Sequence, residues 1–482
     1  MNLFRSHRLV PCRRVVETAV LACAMVGATI PCHAQWDPYQ TTAAVTVAER
    51  EAADARHLQL ARDSIERIRK SAAQVQVVDA AGRAVAGVRV HVDQISQDFL
   101  FGNLAEDQFK ADWTDAERAR FTELFKGLFN FTELTLVKWQ QYEPQRGQHQ
   151  QEEMTRQLDW AARNDIVVKG HTIGWSHNAG TPDWLYAMPA RQRLAEYKRH
   201  VTEMVTRNRQ RIQRWDAVNE PVTTIPYERA LQETRAKGQI DDGPRYDTRG
   251  ITLDQVLPWV EQTFRLAHAA HPHGEFHINE FNVLSRRDIR QKYFDLVEAL
   301  LQRKVPVHGI GIQAHEPREM WFATPEIVKA FDQMAALGLP LHITEFLPQS
   351  SGKPITGGWR EGTWTEEAQA TFAAQFYTLA FGHPAMKSIH WWGFSDRSVW
   401  LPGGGLLDAE LKPKPAHTRL FQLIKRDWMT RDLAVDADAS GVAAFRGFHG
   451  RYRITVTAPD GASRTVDAHV QEGGENRFVV TL

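Results

Sequence analysis

From residue 98 to residue 430 the chain alternates short apolar runs with longer segments whose apolar residues recur every three or four positions. The short runs are FLFG (99–102), TELTLV (132–137), IVVKGH (166–171), RWDAVNE (214–220), EFHINEF (275–281), HGIGIQAH (308–315), PLHITEF (340–346) and SIHWWGF (388–394). Apolar runs of this length read as buried strands with apolar interiors. Between them, LDQVLPWVEQTFRLAHAAH (253–271) and PEIVKAFDQMAALG (325–338) gather their apolar residues on one helical face. Eight strand–helix units predict a parallel (β/α)8 TIM barrel more readily than an open sheet.

The flanks follow another pattern. Residues 42–70 read as an exposed, charge-laced helix within a helical segment at 35–74. VQVVDAAGRAVAGVRVHV (75–92) has two alternating runs around a Gly-containing turn, which predicts a hairpin. Residues 441–482 are again short strands between Gly, Asp and Asn turns. Neither end has enough strands to stand alone. Together, 75–97 and 431–482 predict a small accessory β-sandwich split around a barrel at 98–430, resembling a carboxypeptidase-regulatory-like sandwich cut in two. The alternative is two unrelated decorations on the barrel.

Composition narrows the setting. Arg5, Arg8, Arg13 and Arg14 precede the apolar run TAVLACAMVGATI, and CHA ends at Ala34. This predicts a signal peptide at 1–34, cleaved before Gln35, and a secreted or periplasmic protein. Cys12, Cys23 and Cys32 all lie inside it, so the mature chain has no cysteine nucleophile, thiolate metal site or disulfide. Lys+Arg and Asp+Glu are each 58, which points away from nucleic acid. No later run is long and apolar enough to span a bilayer. A monomer is expected.

In a TIM barrel the chemistry gathers where the strands end. The second run leads to Lys138, the third to His171 with Trp175 beyond, and the fourth ends at Asn219-Glu220. The sixth carries Gln313 and His315, the seventh Glu345, and the eighth Trp391 and Trp392. Indoles stack on sugar C–H faces, amides and imidazoles bond hydroxyls, and two carboxyls cleave a glycosidic bond. One carboxyl must hold a proton for the leaving oxygen while the other is ionised; a separation of about 5–5.5 Å makes the enzyme retaining. Glu220 and Glu345 are the candidates. The run HAAHPHGEFH (268–277) has four histidines without an H-E-x-x-H pairing, so no metal is expected. No G-x-S-x-G elbow occurs, which argues against a serine hydrolase. Phe445, Phe448 and Tyr452 are assigned to sandwich core.

KGHTIGW (169–175), WDAVNEP (215–221), HINEFN (277–282), GIGIQAH (309–315), HITEF (342–346) and WWGFSDRSVW (391–400), in this order, resemble glycoside hydrolase family 10, the retaining endo-β-1,4-xylanases, over about residues 98–425. The resemblance implies Glu220 as acid/base and Glu345 as nucleophile, the latter bonded by His315. It implies that Gln313, Asn219, His171 and Lys138 bond sugar hydroxyls, and that Trp175, Trp392 and Trp400 wall the reacting sugar. It implies no cofactor, and a xylan-type poly- or oligosaccharide as partner. Three places depart from the family. Leu134 and Thr135 stand where an acidic residue and an Asn usually grip the second glycone sugar. SHNAGTPDW is longer than the usual turn, leaving His177 and Asn178 without an assignment. The segments 222–250 and 350–364 follow the two glutamates, and Trp359 or Trp364 is a candidate for extra stacking. A decorated xylan or another β-glycan is the alternative substrate; a non-catalytic carbohydrate-binding protein is the alternative of another class.

Overall fold

The computed structural model describes residues 45–177, 179–224, 252–315 and 318–482. The proposed signal peptide, Asn178 and all but the first three residues of the 222–250 segment lie outside the described residues. A helix at Val47–Ile68 opens the description, its first turn closed by a reciprocal cap between Thr46 and Glu49. Two strands follow, β1 (Lys70–Val78) and β2 (Arg89–Gln94). The barrel strands are β3 (Leu100–Asn103), β4 (Phe131–Leu134), β5 (Val167–Gly170), β6 (Arg214–Asn219), β7 (Glu275–Glu280), β8 (Gly309–Ile312), β9 (Leu341–Phe346) and β10 (Met386–Trp391). After them come β11 (Leu433–Asp436), β12 (Val442–Phe448), β13 (Gly450–Thr457), β14 (Ser463–Val470) and β15 (Arg477–Thr481).

β3 to β10 pair in parallel around a closed ring in the order β10-β3-β4-β5-β6-β7-β8-β9, a TIM barrel. The outward side chains of the strands pack on the surrounding helices; Phe346 of β9, for instance, stacks on Phe376 with ring centroids 4.3 Å apart. Two sequence expectations change here. The run 132–137 is strand only to Leu134, and Thr135–Val137 tightens into a 3₁₀ turn. The strand interiors are also not uniformly apolar. Alternate residues point into the lumen, and Glu133, Lys169 and Asp216 are all buried, with the Lys169 ammonium 2.8 Å from Glu133 and 2.9 Å from Asp216. His277 and His342 stack at 4.4 Å.

The terminal strands form two small sheets, β12-β1-β15 and β11-β2-β13-β14. β1 runs antiparallel to β12, from Lys70 opposite Phe448 to Gln76 opposite Val442, and parallel to β15 on its other edge. β2 pairs with β11 and β13 instead. The expected hairpin is therefore replaced by a crossing from one sheet to the other. Both runs alternate, so each can bury one face, and Val75 and Val77 meet Val90 and Val92 in a core shared with Tyr452, Ile454 and Val456. Phe445 and Tyr452 belong to that core, whereas Phe448 packs toward the barrel against Phe381. At the same junction the buried Arg69 donates to the carbonyls of Phe381, His383 and Met386 at 2.8–2.9 Å.

The N-terminal helix also braces the loop that follows β9. Its buried Asp54 accepts from the Thr324 hydroxyl (2.9 Å), the Trp359 indole (3.0 Å) and Arg360 (2.8 Å). Trp359 therefore bonds this helix, and Trp364 is fully buried, stacked on Trp321. Trp364 therefore offers no sugar-stacking surface, while Trp359 stays half-buried with its indole N–H turned to the helix.

Candidate active site

β6 ends where the backbone turns sharply at Glu220, whose φ of 54° lies in the left-handed region. For a residue with a Cβ that costs about 1–2 kcal/mol, so neighbours must hold it. The Glu220 amide donates to the Asn279 carbonyl at 2.8 Å. Its carbonyl accepts from the amide (3.1 Å) and hydroxyl (2.6 Å) of Thr224. The next turn is fixed by Glu280 at the end of β7, whose carboxylate accepts from the Val222 amide and from the Thr223 hydroxyl.

An amide network joins Glu220 to Glu345, on β9. The Asn279 side-chain NH2 donates to Glu345 Oε1 and to Asn219 Oδ1, both at 2.9 Å. Gln313 donates to Asn219 Oδ1 (3.2 Å) and to Glu220 Oε1 (3.1 Å). Asn219 donates to the same Glu220 oxygen at 3.3 Å, and the Trp175 indole to the other at 2.9 Å. Thr344 fixes the Asn279 amide by donating to its Oδ1 at 2.7 Å. Gly311 of β8 leaves room for that amide; a Cβ there would strike Asn279 Oδ1.

The electrostatics follow from burial. Burial, and then the charge of Glu220, push the Glu345 carboxyl well above the usual range. The same two causes raise Glu280 to about 8, against its hydrogen bonds from Thr223, Val222 and Phe281. The histidines go the other way. His171 is lowered to about 4 by burial, although its Nδ1 lies 2.9 Å from Asp216 Oδ2. His315 is lowered to about 3 by burial and the Arg318 charge. Both imidazoles are neutral near pH 7. Glu133, His171 and Asp216 lie close enough together to resemble a metal-binding set, but the Lys169 ammonium already pairs with both carboxylates.

All ten residues singled out from the sequence lie around this mouth or its rim. Lys138 places its ammonium 5.5 Å from the Trp175 ring centroid and 5.6 Å from that of Trp392. His171 meets Trp392 edge-on at 5.1 Å, with its Nε2 3.9 Å from Glu345. Trp392 lines the mouth, whereas Trp391 faces the helices and bonds the Gly404 carbonyl. Trp400 stands at the rim, 43% exposed, with His315 against one side and the Arg318 guanidinium 4.6 Å from its ring centroid. His315 differs from its expected role. Its Nε2 is 3.6 Å from Glu345, and it bonds Gln313 Oε1 instead, at 2.7 Å. That bond orients the Gln313 amide, so its NH2 faces the two acceptors. His177 stacks on Trp175 at 4.5 Å.

Asn279, Glu280, Asp216, Lys169 and Glu133 were not singled out. Asn279 and Glu280 carry the same signal as the others, polar residues closing an apolar strand. Asp216, Lys169 and Glu133 sit within strands, where an ion pair formed between three different strands leaves no local trace.

Residues 93–423 match the family described as glycosyl hydrolase family 10. Endo-1,4-beta-xylanase B of Thermotoga neapolitana is 26% identical over 324 residues, 65% of this chain and 86% of that protein. The anti-sigma-I factor RsgI6 of Acetivibrio thermocellus is 25% identical over 402 residues, 83% of this chain but 46% of that protein. Among solved structures, xylanase 10B from Thermotoga petrophila in complex with xylobiose has a TM-score of 0.54 at 22% identity, covering 68% of this chain and 95% of that one.

Proposed function

The chain belongs to glycosyl hydrolase family 10, and on that premise we propose that it is a retaining endo-1,4-β-xylanase that uses Glu220 as acid/base and Glu345 as nucleophile. The observation that carries this reading is the amide network: Asn279, Asn219 and Gln313 tie two carboxyls from β6 and β9 into one unit at the C-terminal mouth of the barrel. In the first step a Glu345 oxygen attacks the anomeric carbon as Glu220 gives its proton to the departing oxygen, leaving a glycosyl ester on Glu345. In the second, Glu220 takes a proton from water, the water oxygen attacks the same carbon, and the ester bond breaks.

Charge placement sets a demand on the substrate. Glu220 accepts from the Trp175, Gln313 and Asn219 N–H groups, Glu345 from Asn279. Hydrogen bonds to the ionised form favour it, while burial and the Glu220 charge favour a proton on Glu345. The reaction needs the opposite arrangement. A sugar in the mouth supplies it by placing hydroxyl donors near Glu345 and its ether oxygen against Glu220. Lys138, His171, Asn219 and Gln313 bond the hydroxyls of that sugar, and Trp175, Trp392 and Trp400 wall it.

Time-resolved proton NMR of xylo-oligosaccharide hydrolysis tests this reading. The β-anomer is expected to appear first, with α-anomer growing only by mutarotation. Initial release of the α-anomer, or no hydrolysis of any β-1,4-xylan, overturns it. Export with cleavage before Gln35 belongs to the same proposal, and amino-terminal sequencing of the exported protein reads it directly.

A further inference from the structure

Glu220 and Glu345 stand where the barrel strands end. At the opposite end, where the strands begin, a cavity of about 890 Å³ lies between the barrel and the small sheets. Leu100, Val167 and Glu275 line it from the first residues of β3, β5 and β7, and Phe448 and Arg451 from β12 and β13. Clefts of this size between packed units are common places for small ligands.

Three polar side chains in its wall are more than nine-tenths buried and still have hydrogen-bonding capacity. Arg69 is 7% exposed and commits Nε and Nη2 to the carbonyls of Phe381, His383 and Met386. Among the described residues its Nη1 has no hydrogen-bond partner and no carboxylate lies within ion-pair distance. Glu472, the acid whose charge reaches it, is paired with Lys387 at 3.3 Å. Burial draws Arg69 down to about 10, so it stays charged near neutral pH. The other two side chains are His277 and His342, stacked on each other. His342 bonds the Ser388 hydroxyl through Nδ1 at 2.8 Å. Neither Nε2 has a hydrogen bond among the described residues, and that of His277 is 4.0 Å from the Glu275 carboxylate. Burial keeps both imidazoles neutral.

A buried cation without a counter-ion is unfavourable, and the rest of the wall supplies none. Glu275 pairs with Arg214 at 3.0 Å, and Asp98 with His469 at 2.8 Å. The exposed Arg451 and Asp165 are of opposite sign and offset each other, so the excess charge is that of Arg69. We propose that this cavity binds a small sugar acid, its carboxylate on Arg69 Nη1 and its hydroxyls on the Nε2 atoms of His277 and His342. A neutral imidazole serves a hydroxyl as donor or acceptor, and a charge-assisted hydrogen bond favours a carboxylate over a neutral group. The site is remote from the two glutamates and does not rest on the xylanase reading.

Calorimetric titration of the full chain with glucuronate, glucose and acetate tests this. Glucuronate is expected to bind, and glucose and acetate about 10-fold more weakly or worse, since each lacks one half of the contacts. Arg69→Gln removes the charge and should weaken glucuronate binding about 10- to 100-fold. That variant also alters a brace between the barrel and the sheets, so His277→Phe, which keeps a ring against His342, is the second probe and should cost about 5-fold. Should Arg69→Gln fail to fold, His277→Phe decides alone. No binding of glucuronate at millimolar concentration overturns the proposal. So does equal affinity for glucose or acetate, wild-type affinity in a folded variant, or displacement of glucuronate by xylobiose, which would put the acid in the barrel mouth.

Discussion

Inside the barrel, where β4, β5 and β6 run side by side, Glu133, Lys169, Asp216 and the adjoining His171 are all buried. Between β1 and β2, earlier in the chain, the buried side chains are mainly valines, joined by Ile454, Val456 and Tyr452, with one amide, Gln94, at the end of β2. The two regions bury strands equally well yet enclose opposite chemistry. Aliphatic burial contributes roughly 25 cal/mol for each Å² removed from water. Buried ion pairs struggle to recover their desolvation cost, and apolar replacements of similar shape are often neutral or stabilising. The sandwich core is therefore built to hold, and the barrel mouth is built to hold charges in place at a cost in stability. Substitutions in the two regions should separate activity from stability in opposite directions.

The largest effect is expected at the mouth. Glu345→Ala should lower xylan hydrolysis on the order of 10⁴-fold, the scale seen when a residue of a catalytic unit is removed. Its melting temperature should hold or rise, because a buried carboxyl facing Glu220 is gone. Steady-state rates with parallel thermal melts read both. A protein that keeps its function in this variant would be a binder, not a hydrolase.

Next in size is a change in the sandwich. Ile454→Ala deletes three carbons from a fully buried site and should cost about 2–5 kcal/mol by denaturant unfolding. Its kcat should match the wild type. A large fall in kcat without a loss of stability would erase the contrast between the regions.

The smallest effect is a slope. Glu280 is held at about 8 in the fold, against about 4.3 in an unfolded chain. The native state keeps a proton that the unfolded state has released, so this contribution is full below about pH 4 and fades as pH rises through about 8. The buried histidines act with the opposite sign: His171 at about 4 and His315 at about 3 cost stability as pH falls below about 6.5. Glu280→Gln should flatten the decline in melting temperature between pH 5 and 8. A variant melting profile parallel to that of the wild type would refute the assignment.

How far these regions could be read from sequence differs for a physical reason. The barrel strands are legible because each is a short apolar run whose neighbours in the ring are also its neighbours in the chain, apart from the closing pair β10 and β3. The residues at strand ends are legible because a polar side chain there interrupts an otherwise buried run. The crossing of β1 and β2 is not legible, since a Gly turn between two alternating runs suits a hairpin equally well. What decides it is β12, β13 and β15, more than 350 residues later. His315 shows a further limit. Its place near Glu345 follows from the motif, but its hydrogen bond to Gln313 depends on side-chain rotamers that the motif does not specify.

β1 is flanked on both edges, by β12 and by β15. A strand synthesised before residue 80 must therefore wait for residues 442–448 and 477–481 to leave the ribosome before its hydrogen bonds can close. Until then its open edges can recruit another chain, and the barrel can assemble in the meantime from shorter-range pairings. A nascent chain stalled after the barrel would have a complete catalytic mouth and an exposed, adhesive edge. Quality-control proteases could recognise such a chain by that unpaired edge.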